Sequence, residues 1–132
     1  MHDDTLERRR WSYPELYTFV RENNGFVALA HPFRFDPYIQ LDLERFPPDA
    51  IEAYSTNISK GGEARLLSLA ESLGVYVLSN SDAHHTKALG QYYNVLARVP
   101  SNERELIEIL KSGQFTCISP ENLILGIFHK VI

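Results

Sequence analysis

Apolar positions change their period along this chain, and the changes mark its elements. Leu16, Phe19 and Val20 recur at helical spacing behind Ser12, Pro14 and Glu15, and Asn23, Asn24 and Gly25 supply a stop. That pattern predicts a helix over residues 13–23. Phe26-Val27-Ala28-Leu29-Ala30 is continuously apolar and predicts a strand buried on both faces. It ends at His31-Pro32, where the proline favours an extended His31. Residues 50–54 predict a second strand, with Glu52 between apolar neighbours. Leu66, Leu67, Leu69, Ala70 and Leu73 line a helix over 63–73 that Gly74 closes, and 75–78 form a third strand. Downstream, the expectation is a strand over 92–99, then a helix through Lys111 with Leu106, Ile107 and Leu110 inward. Strands over 115–118 and 123–132 follow.

Helices alternating with short apolar runs predict an α/β fold with a largely parallel sheet. At 132 residues one domain is expected over 11–132, with residues 1–10 a charged tail or linker. Arg8-Arg9-Arg10 reads as solvated surface or as a phosphate contact. A net charge of −4 gives no general attraction to nucleic acid or anionic membrane. No apolar run approaches transmembrane length, and the first residues lack the apolar middle of a signal peptide. Cys117 is the single cysteine, so no intrachain disulfide forms. Together these features lead to the expectation of a cytoplasmic protein.

The chemistry concentrates in Ser79-Asn80-Ser81-Asp82-Ala83-His84-His85, which follows the apolar run 75–78. It therefore lies at a strand's C-terminal end, where α/β sheets carry their sites. Asp82 and His84 are two apart, so an extended backbone sends both to one face. A carboxylate and imidazoles suit zinc, iron or manganese, and His31 leaves a second strand at the equivalent position. Residues 33–48 are irregular, and loops of that length are uncommon unless functional or disordered. Arg34, within them, reads either as a clamp for a phosphoryl oxygen or as a salt-bridge partner of Asp36, Asp42 or Glu44. Glu52 is a metal ligand, an orienting group behind the ligands, or an exposed side chain. Gly61-Gly62 is a weak phosphate-cradle signal. A plainer alternative makes Asp82, His84 and His85 a loop-capping cluster without metal.

The segments Gly25–Pro32, Ile51–Tyr54 and Ser79–His84, with Leu89-Gly90 after them, resemble the C-terminal half of the PHP (polymerase and histidinol phosphatase) domain, from about residue 11 to 118. The resemblance implies a distorted (β/α)7 barrel with a multinuclear metal site that hydrolyses phosphate esters. By position His31 matches the family's third-motif histidine, and Asp82 and His84 match its closing Asp-x-His. The family's first-motif His-x-His and second-motif histidine have no counterpart in this sequence. The chain thus resembles part of the barrel lacking its N-terminal half, with His31, Asp82 and His84 holding one metal that keeps an open position. Two functions follow. In one, a metal-activated water hydrolyses a phosphorylated small molecule or nucleotide, with His85 as acid or base and Arg34 as clamp. In the other, a truncated or degenerate domain binds or assembles without catalysis, as a homo-oligomer or against a missing N-terminal half.

Overall fold

The computed structural model describes residues 4–121 and 129–130. Helix α1, Tyr13–Glu22, begins as the sequence requires: Ser12 and Glu15 form a reciprocal capping box with Pro14 in the first turn. Asp49 ties α1 to the sheet. One of its carboxylate oxygens pairs with Arg21 Nη1 at 2.8 Å, and the other accepts the Val27 N–H at 2.7 Å. Residues 4–10 are exposed. Their arginines are partly used within the chain: Arg9 lies 3.8 Å over the Trp11 ring and pairs with Glu15, and Arg8 faces Asp4.

Strands β1 (Ala28–Leu29), β2 (Ala50–Tyr54) and β3 (Tyr76–Ser79) form a parallel sheet in the order β1-β2-β3. Every residue of the central strand β2 is buried. Helix α2, Lys60–Leu73, makes the β2-to-β3 crossover and buries Leu66 and Ala70. It starts earlier than the apolar pattern predicts, because Ser59 caps it by accepting the Gly62 N–H. Gly61 and Gly62 are therefore in its first turn rather than in a separate loop. Gly74 ends it in the left-handed conformation. β1 departs from expectation. Only Ala28 and Leu29 pair, and Ala28 is exposed. Among the described residues β1 has β2 as its one neighbour, so it is an edge strand.

The remaining strands correct the expectation of a largely parallel sheet. β4 (Tyr93–Leu96), β5 (Phe115–Ile118) and β6 (His129–Lys130) form a second, antiparallel sheet. The described residues hold a mixed α/β fold with no closed barrel. Of the expected last strand over 123–132, only residues 129–130 fall within the described residues. Helix α3, Glu103–Lys111, connects β4 to β5 and is capped by Asn102. Its buried residue is Ile109, while Leu106, Ile107 and Leu110 are partly covered, so its inward stripe is turned from the expected one.

Side chains join the two sheets. The Asn94 amide accepts the Ser79 N–H at 3.0 Å and donates to the Ser79 carbonyl at 2.7 Å. Ser79 Oγ donates to the Ile118 carbonyl at 2.6 Å, and Cys117 Sγ to the Val77 carbonyl at 3.0 Å. One amide thus supplies the donor and acceptor that a neighbouring strand would, and the backbone N–H and carbonyl of Ser79 are satisfied at the end of β3. Ile51, Tyr54, Leu66, Val77, Phe115 and Cys117 meet in the core beneath.

Burial pushes the Cys117 thiol up to about 12, and burial likewise raises Tyr13 and Tyr54 to about 12. The unfolded thiol titrates at about 8.5 and the phenols at about 10. The folded state holds these protons more tightly, so their contribution to stability is complete below the unfolded values. It drains away as pH rises from about 9 toward 12. The native Cys117 thiol is accordingly expected to react with an aromatic disulfide reagent at pH 8 at least about 100-fold more slowly than in urea. Equal rates in the two conditions would show that β5 opens freely.

Candidate functional site

All three parallel strands point their C-terminal ends to one rim, and the sequence-predicted residues gather there. β1 leads into Ala30 and His31, β2 into Ser55–Asn57, and β3 into Asn80–His85. Asp82 is the meeting point. Its Oδ2 accepts from Arg34 Nη1 at 2.8 Å and from the Asn57 amide. His31 Nε2 lies 3.7 Å from the same oxygen, and His84 Nε2 lies 3.6 Å from Oδ1. His31, Arg34 and Asp82 are each about one-quarter exposed at the side chain, and His84 about two-thirds. The Arg34 side chain therefore crosses to the β3 exit. Its partner is Asp82 and not Asp36, Asp42 or Glu44.

The backbone at the site is unusual. Among the described residues the non-glycine residues with positive φ are Asn24 at 55°, His31 at 29° and Asp82 at 46°. Two of the three belong to this cluster. A left-handed non-glycine residue costs roughly 1–2 kcal/mol, and such residues concentrate where function overrides local preference. The extended backbone expected at His31 and Asp82 is absent. Asp82 and His84 converge because the chain turns left-handed at Asp82, not because side chains alternate along a strand.

Glu52 lies beneath the cluster, 4 % exposed. Its Oε2 accepts the His31 N–H at 2.7 Å, and its Oε1 accepts from Asn80 Nδ2 at 3.1 Å. Asn80 Oδ1 in turn accepts from Asn94 Nδ2 at 3.2 Å. A polar chain thus runs from β4 through β3 and β2 to the His31 backbone. Thr56 Oγ1 donates to the Ser81 carbonyl at 2.7 Å and closes the rim from the β2 side. Asn57, Asn80 and Asn94 escape a reading of the sequence, because an asparagine near a strand end is common loop chemistry. Only the position of Asn57 just past β2, on the same rim, marks it. His85 is exposed, and no contact of its side chain with the cluster is present among the described residues.

The donor set can be weighed against a divalent cation. Two bonds of about 2.0–2.1 Å meeting at a tetrahedral angle span about 3.3–3.4 Å. The imidazole-to-carboxylate separations of 3.6 and 3.7 Å are near that span and too long for direct hydrogen bonds. Donor types and pairwise spacings fit. The two imidazoles face different carboxylate oxygens, however, and among the described residues no group of three or more His, Cys, Asp or Glu is placed to hold a metal ion. Arg34 and Asn57 hold Oδ2 instead.

Residues 64–115 match a family model described as PHP-associated. The match is consistent with the C-terminal region of a PHP domain. It runs from within α2 to the first residue of β5, including Asp82 and His84, and does not reach His31, Arg34 or Glu52. No curated protein and no solved structure matches the chain. Among the described residues no helix is long and apolar enough to cross a membrane.

Proposed function

We propose, from the PHP relation of residues 64–115, that the rim at the C-terminal ends of the parallel strands binds phosphate monoesters and, with a divalent metal, hydrolyses them. The observation that carries this reading is the convergence on Asp82 of His31 and Arg34 from the loop after β1 and of His84 from its own loop after β3. His31, Asp82 and His84 would hold the metal. A bound zinc or manganese supplies a water of lowered pKa and polarises a phosphoryl oxygen. The chain's own residues do the rest. Asp82 contributes the negative charge of the site and holds Arg34 by one nitrogen. The other guanidinium N–H groups serve the ester's oxygens. Glu52 fixes the His31 backbone, and Asn57 fixes the carboxylate from the β2 side. His85, exposed beside His84, is the candidate for proton transfer to the leaving alcohol.

A second reading rests on the Arg34–Asp82 pair itself. A guanidinium already neutralises the carboxylate, so the cluster works without metal as a clasp between the loop after β1 and the loop after β3. The domain is then a binding or assembly unit. The edge strand β1 offers backbone groups on its open side to a second chain. Metal analysis and turnover separate the two readings. The purified protein, dialysed against manganese or zinc, is expected to retain about one equivalent of metal and to release phosphate from a generic monoester. His31→Ala and His84→Ala should each lower retention and rate at least about 10-fold. No metal retained, and no turnover above these variants, would leave the clasp.

A further inference from the structure

The loop after β1 displays aromatic rings in water beside the site. Phe35 is 86 % exposed and Tyr38 is 74 % exposed. Scattered apolar residues on a surface are ordinary, and Phe35 would be one of them except for its neighbours. Its ring stands edge-on to the His31 ring, with centroids 6.3 Å apart and planes at 87°. The Arg34 guanidinium carbon lies 5.0 Å from its centroid. Phe35 therefore borders both side chains that reach Asp82 from the loop. Among the described residues only Nη1 of Arg34 is taken, by Asp82. A flat apolar ring, largely uncovered, thus sits next to a cation with N–H groups to spare. An anion with a planar substituent matches both features at once: the phosphate meets the guanidinium and the substituent stacks on the phenyl face.

We infer that Phe35 determines specificity in this site by stacking an aromatic group carried on the phosphate ester, so that aryl esters are preferred over aliphatic esters of the same size. The inference rests on the phosphoester reading above and names its substrate class. A purely hydrophobic surface would take a saturated ring as readily as an aromatic one. Stacking on the ring quadrupole would not, and that difference provides the test.

Phenylphosphonate and cyclohexylphosphonate are suitable probes, since neither is hydrolysed. Each is titrated calorimetrically into the full chain with manganese present, alongside inorganic phosphate. The wild type is expected to bind phenylphosphonate about 3- to 10-fold more tightly than cyclohexylphosphonate, the size of one aromatic pair. Phe35→Leu should bring that ratio to about one and leave inorganic phosphate unchanged, while Phe35→Tyr should keep the ratio. Because the side chain is exposed, both variants should melt with the wild type. Equal wild-type affinities, or a ratio that survives Phe35→Leu, would overturn the role of Phe35 and leave the phosphoester reading standing. Failure of inorganic phosphate and both phosphonates to bind would instead overturn the phosphoester reading, and this inference with it.

Discussion

Asp82→Ala is expected to abolish metal retention and to lower phosphate release by about 100-fold or more, the largest functional loss from any single change in this chain. The reason is topological. Arg34, Asn57, His31 and His84 all converge on this carboxylate. Its removal leaves a guanidinium and two imidazoles with no anion between them, so a cation is repelled. The substitution also carries a backbone cost. Asp82 sits at φ 46°, a conformation that aspartate and asparagine tolerate better than alanine does. Asp82→Asn keeps the backbone tolerance and removes the charge, so it separates the two effects. The asparagine variant should fold like the wild type while still losing metal. Metal content by mass spectrometry and manganese titration by calorimetry provide the readout. Full metal occupancy in Asp82→Asn would take this carboxylate out of the ligand set.

Glu52→Ala is expected to destabilise the fold by about 3 kcal/mol, measured as a lowered denaturant midpoint at unchanged slope. The side chain is buried in the middle of β2 and accepts from the His31 N–H and from Asn80. Alanine would leave both donors unanswered and open a void among packed residues. Glu52→Gln keeps the volume and one acceptor, and should cost about 1 kcal/mol. Its effect should appear mainly in the site. With the His31 backbone less tightly held, manganese affinity should fall roughly 10-fold, as for other residues that orient a ligand. A glutamine variant with wild-type affinity and stability would make the carboxylate a space-filler.

Local signals carried well from sequence to structure in this protein. The Ser12 cap and the Gly74 stop both follow from interactions a few residues apart. The run from Ser79 to His85 was recognisable as a strand exit, because a polar cluster directly after a buried apolar run has nowhere else to be. Direction and pairing were not legible in the same way. The 92–99 and 115–118 runs read as strands, but periodicity is the same for parallel and antiparallel neighbours, and only their pairing shows a separate antiparallel sheet. The strand at 26–30 shrank to Ala28–Leu29, because only those two residues pair with β2.

The amino-acid order alone determined which residue types stand at each strand exit: His31 after β1, and Asp82 with His84 after β3. That follows from apolar runs ending where the polar residues begin. Only the tertiary structure decided who meets whom. It sent Arg34 across to Asp82 past nearer acids, brought in Asn57 from a third loop, and set the His31 backbone on buried Glu52. It also turned His31 and Asp82 left-handed. These are contacts between residues more than twenty positions apart, paid for by conformations that each residue disfavours locally, and nothing in a local pattern encodes them.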